Sequence, residues 1–142
     1  MRGLTKSHVA DSVKQILSYI RRWDSVLIVG PQPVEMARAL FNALPIDAGL
    51  YITILNTTGK EIPGLDALQN SLKEEDRWCK ELRIESFEYL CGPARYYHTN
   101  RFDVLLYILS ENEDADEIVR QAKQLMCFRG GDIIIFRKVC AC

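Results

Sequence analysis

The feature that most constrains this chain is an alternation between two hydrophobic periodicities. Four apolar runs, rich in β-branched residues, occur at Val26-Leu27-Ile28-Val29, Leu50 to Leu55, Asp103 to Leu109 and Ile133-Ile134-Ile135-Phe136. Runs without polar alternation suit strands buried on both faces. Between them the apolar residues recur every three or four positions, the signature of helices with one buried face. Val34, Ala37, Leu40, Phe41 and Leu44 form one such stripe, with Pro33 where a first-turn proline is tolerated. Leu65, Leu68, Leu72, Cys79 and Leu82 form a second, and Ile118, Val119, Ala122, Leu125 and Met126 a third. Phe87, Tyr89 and Cys91 alternate with polar neighbours and read as a weaker strand ending at Gly92-Pro93. Ahead of all these, Val9, Val13, Ile16, Leu17 and Ile20 predict an amphipathic helix over residues 7–22.

Strands separated in turn by helices imply right-handed βαβ units and a parallel sheet covered by helices. The 142 residues are the length of one domain, and no linker, repeat or low-complexity segment divides residues 1–142. A net charge of −1, with no basic run longer than Arg21-Arg22, gives no electrostatic reason to expect nucleic acid or a membrane surface as partner. No apolar stretch approaches the roughly 18–20 residues that span a bilayer, and Met1 to Ser12 lacks the core of a signal peptide. The expected location is the cytoplasm. Five cysteines follow no disulfide framework, so free thiols are expected, with Cys79, Cys91 and Cys127 as small hydrophobes.

Several stations along the chain carry a resemblance. Val26-Leu27-Ile28-Val29-Gly30, Leu90-Cys91-Gly92-Pro93-Ala94, Arg101-Phe102-Asp103-Val104-Leu105-Leu106 and Arg129-Gly130-Gly131-Asp132-Ile133-Ile134-Ile135 follow one another in order. Together they resemble the class I S-adenosylmethionine-dependent methyltransferases over residues 7–139. The resemblance implies a three-layer Rossmann-like α/β fold: a five-stranded parallel sheet of order 3-2-1-4-5 with helices on both faces. It also implies that any ligand sits at the carboxyl ends of the strands, against Gly30, Pro31, Asn56, Gly92 and Ser110, with S-adenosylmethionine as the cofactor.

Departures from the family pattern lie at the same stations. Family members usually carry an acid two residues before the first glycine and a second glycine two residues after it; here Ile28 and Gln32 stand there. Asn56 replaces the acid that holds the cofactor ribose, and Pro93 replaces a polar residue. The expected function is therefore a degenerate or minimal methyltransferase-like domain, a non-catalytic ligand-binding or oligomer subunit. Two alternatives are an active small methyltransferase that completes its pocket with a partner chain, and a protein-interaction module using a sheet edge. The family continues into an antiparallel hairpin after strand five, whereas only Arg137 to Cys142 follow here. Strand 133–139 is accordingly expected to be an open edge, covered by a second copy in a homodimer or by another subunit.

Other chemistry is weaker. Gly30-Pro31-Gln32-Pro33 offers one glycine and two residues without an N–H, which suits neither a dinucleotide nor a phosphate loop. Glu111, Glu113, Asp114, Asp116 and Glu117 read as favourable charge at a helix start, with a divalent-metal site as the alternative. Ser110 is read as a helix cap or a residue facing a ligand. His98 lies in an aromatic loop without an identified partner, His8 falls within the first predicted helix, and Cys140 and Cys142 lack the further ligands of a tetrahedral metal site.

Overall fold

A computed structural model describes residues 5–44, 49–56, 59–74, 80–86, 102–110, 113–122 and 131–137. Its strands are β1 (Lys6–Ala10), β2 (Ser25–Val29), β3 (Leu50–Asn56), β4 (Lys80–Ser86), β5 (Val104–Leu109) and β6 (Asp132–Arg137). Its helices are α1 (Val13–Leu17), α2 (Pro33–Ala43), α3 (Leu65–Glu74) and α4 (Ala115–Ala122). All six strands are parallel and form one sheet of order β1-β6-β5-β2-β3-β4.

The apolar runs become the middle of this sheet because they alone can be buried on both sides. Val26, Ile28, Ile52, Ile54, Leu106 and Ile134 pack on one face against Ile16 of α1, Val34, Ala37, Leu40 and Phe41 of α2, and Leu68 and Leu72 of α3. Leu27, Leu105, Ile133 and Ile135 project to the other face, where Ala115 and Val119 of α4 cover them. Burying one such aliphatic side chain contributes roughly 1.5–3 kcal/mol. Helices on both faces of a parallel sheet make the architecture α/β and Rossmann-like.

Three expectations are corrected. The sheet has six strands where five were expected, and the order gains a member beyond strand five. The extra strand comes from the region read as a helix over 7–22, of which only Val13–Leu17 is helical. Ser12 accepts a hydrogen bond from the Gln15 amide at 3.2 Å, an N-cap that starts the helix there. Bonds from Ser18, Tyr19 and Ile20 to carbonyls three residues back then tighten its end. Residues 6–10 contain one β-branched residue and bury only Ala10, so their own pattern carries no strand signal. What makes them a strand is the ladder with β6, from Lys6 opposite Asp132 to Ala10 opposite Phe136.

The second correction follows from the first. β6 is not an edge, because this chain's own β1 fills the position that a partner was expected to cover. The third concerns the helix read from Leu65 to Leu82. It ends at Glu74 within the described residues, and Leu82 lies on β4 opposite Ile52. β4 runs Lys-Glu-Leu-Arg-Ile-Glu-Ser, with Leu82 and Ile84 packed on the core, and it takes the place expected for a strand at Phe87 to Cys91. Those later residues lie outside the described ones.

Candidate functional site

The chain leaves β2 toward β3 and β4, then returns to build β5 and β6 on the opposite side of β2. The carboxyl ends of β2 and β5 therefore flank the point where the winding reverses, which is where open parallel sheets form crevices. A cleft of about 420 Å³ lies there. Val29 to Pro33 follow β2 into its wall, Leu55 and Asn56 close β3, and Tyr107, Ser110 and Glu113 come from the end of β5 and the start of the next loop. Glu61, Ile62 and Pro63 complete it from the loop before α3.

Four of the residues expected from the sequence, Gly30, Pro31, Asn56 and Ser110, line this one cleft. Gly92 lies outside the described residues, as do His98, Cys140 and Cys142. Of the acids after β5, Asp116 and Glu117 sit in the first turn of α4, Asp114 accepts from the Asp116 amide at 3.0 Å, Glu113 faces the cleft, and Glu111 lies outside the described residues. Among the described residues no group of three His, Cys, Asp or Glu side chains is placed to hold a metal.

Gly30 has φ +122°. A β-carbon on it would lie 2.5 Å from the carbonyl oxygen of Ile108 and 2.9 Å from that residue's β-carbon. The glycine is thus required by the neighbouring strand rather than by the approach of a ligand. Gln32 has φ 52° and ψ 48°, a left-handed conformation at the N-cap of α2. Gln32 thus adopts, with a full side chain, a backbone shape that favours glycine.

Asn56 has both ends of its side-chain amide engaged. Its Oδ1 accepts from the Gly59 amide at 3.1 Å, and its Nδ2 donates to the Lys60 carbonyl at 2.9 Å. Both ends of the amide close the loop that follows β3. Ile28, two residues before Gly30, is fully buried in the core. Pro31 and Pro33 supply no N–H to a ligand. These residues do not fit S-adenosylmethionine in the binding mode that the resemblance implies.

Sequence reasoning passed over Tyr107, which interrupts the apolar run of β5. The period-two geometry of the strand sends it to the same face as Leu105 and Leu109. Its hydroxyl donates to Oε2 of Glu113, and the Ser110 amide donates to Oε1 at 3.1 Å. Burial, together with the hydrogen bond and the negative charge of Glu113, pushes the Tyr107 phenol up to about 12. Burial acts to raise the Glu113 carboxyl too, but the bonds from Tyr107 and Ser110 outweigh it and hold the group below the usual carboxylate range. Near neutrality the site therefore holds a protonated phenol and an ionised carboxylate.

His8 was also misplaced by sequence reasoning. It lies on β1, stacks on Tyr19 at 3.9 Å between ring centroids, and its Nε2 meets Oδ1 of Asp132 at 2.7 Å. This contact is near the amino ends of the strands, away from the cleft. No helix among the described residues is long and apolar enough to cross a membrane. No protein-family model matches the chain, and no curated protein matches it in sequence.

Proposed function

We propose that this chain is a degenerate methyltransferase-like domain: a non-catalytic unit that keeps the family's sheet and its crevice but not the grip on its cofactor. The observation that supports this reading most directly is Asn56. The residue at the ribose position spends its side chain on the Gly59 amide and the Lys60 carbonyl, within its own loop. A carboxylate would make charge-assisted bonds to two ribose hydroxyls, whereas this amide is already engaged. The cleft persists with about 420 Å³, within the size range of small-molecule sites, so a different ligand remains compatible with it.

A thermal-shift and calorimetric titration with S-adenosylmethionine and S-adenosylhomocysteine tests the reading. A ligand at ~100 times its Kd stabilises the folded state by about 2.7 kcal/mol. The expected result is no shift with either compound at millimolar concentration. Stabilisation of that size, abolished when Pro31→Trp fills the cleft, would show that the altered turn still holds the cofactor and would overturn the degenerate assignment.

A further inference from the structure

The cleft has a chemical bias that its overall shape does not reveal. Leu55, Ile62, Pro63, Pro31 and Pro33 give it apolar lining, and its ionisable side chains are Glu61, Glu113 and Tyr107. Among the described residues that line it there is no Lys, Arg or His. The helix start, often an anion site in such folds, has Pro33 without an N–H at its first position, and Pro31 just before the cap offers none either.

We propose that the cleft selects a small organic cation, a primary ammonium carried on an apolar body, and discriminates against phosphorylated and carboxylate ligands of the same size. This rests on the reading of the cleft as a ligand site whose original cofactor grip is gone. Two carboxylates lining one cleft favour a positive charge there. Desolvating an ammonium is tolerable only beside such a carboxylate, and a phosphate has no counter-charge here. Glu113 suits the role because Tyr107 and Ser110 hold its side chain in one orientation before any ligand arrives. Its carboxyl is held below the usual range, so it is ionised wherever an amine is protonated. The Tyr107 ring on the same wall adds an electron-rich surface that attracts cations.

Three probes of nearly equal size separate charge from shape: phenethylamine, 2-phenylethanol and phenylacetate, titrated into the intact protein by calorimetry and protein-observed NMR. The expected order is amine, alcohol, acid. The amine should bind about tenfold more tightly than the alcohol, as expected for a partly screened ion pair. Raising the salt from about 0.05 M to about 0.5 M should shrink that margin, because a Debye length of a few ångströms screens exposed charges. Glu113→Gln should reduce the margin most, and Glu61→Gln, an exposed position where folding is not at stake, should reduce it less. Equal affinity for the three probes, or preference for the acid, would overturn the charge selectivity while leaving the degenerate assignment intact. Binding of S-adenosylhomocysteine with a preserved amine preference would do the reverse. No binding by any probe at millimolar concentration would overturn the cleft as a ligand site.

Discussion

At the amino ends of the strands, acidic side chains bond to backbone amides and to a histidine. The buried Asp24 accepts from the Arg21 amide at 2.7 Å, Asp103 accepts from the Ser25 amide at 3.0 Å, and Asp132 meets His8. The Trp23 ring lies over Gly49, whose carbonyl accepts from the Trp23 amide at 2.7 Å. At the carboxyl ends the corresponding positions are a glycine, two prolines and an asparagine that folds onto its own loop, and between them the cleft stays open. The amino end uses its polar groups to bind strands to one another. The carboxyl end leaves space and concentrates its ionisable groups, Glu61, Tyr107 and Glu113, around it. The difference teaches that one sheet can place inter-strand bonding and an open cleft at opposite ends, as the requirements on the two sets of residues are opposed.

Each end contains a glycine pressed against a neighbour, and exchanging both breaks the comparison most sharply. Gly30→Ala drives its β-carbon into the Ile108 backbone, which cannot move without disturbing β5. Adding overpacking to the backbone strain gives an expected loss of about 3 kcal/mol or more. Gly49→Ala meets the Trp23 ring at 2.5–2.7 Å with φ +64°, yet that side chain is 43 % exposed and can swing outward. The expected loss is about 1–2 kcal/mol, with a change in tryptophan fluorescence that Gly30→Ala lacks. Urea unfolding of both variants checks the order, and an equal loss would mean that Trp23 is as fixed as a strand.

Asp103→Ala removes the acceptor for the first amide of β2 and should destabilise by about 1–2 kcal/mol without altering the cleft. Measuring probe affinity alongside stability sharpens the contrast: a change in affinity comparable to the change in stability would show that the two ends are coupled.

Tyr107→Phe is the smallest effect, about 1 kcal/mol near neutrality, and its value lies in its pH dependence. Glu113 has a lowered carboxyl in the folded state, so its contribution is present above the ordinary carboxylate range and is lost as pH falls through the folded value. The gap between the natural protein and Tyr107→Phe should therefore narrow on acidification. In the alkaline direction the sign is opposite. The phenol titrates at 10.0 ordinarily and at about 12 when folded, so its contribution is intact below pH 10.0 and is lost as pH rises toward 12. Denaturant midpoints measured across pH test both limbs, and a gap that stays constant on the acid side would separate Tyr107 from the charge of Glu113.

Much of this molecule was written locally. The runs at 26–29, 50–55, 103–109 and 133–136 are strands of the middle of the sheet, and the stripe from Val34 to Phe41 is α2, because double-sided burial and a 3.6-residue period are properties of a segment by itself. The resemblance had placed Gly30, Pro31, Asn56 and Ser110 at one end of the sheet, where they line one cleft. Tertiary structure alone decided the rest. Lys6–Ala10 becomes a strand because β6 offers it a ladder, although its residues have little apolar surface of their own. Leu82 fell at helical spacing by coincidence, and pairing with β3 overrode it. His8 and Asp132 are 124 residues apart in sequence, and Tyr107 meets Glu113 beyond the end of its own strand. Periodicity records which side of an element is buried; what that side touches is set by chain segments distant in sequence, and so were the walls and the charge of the cleft.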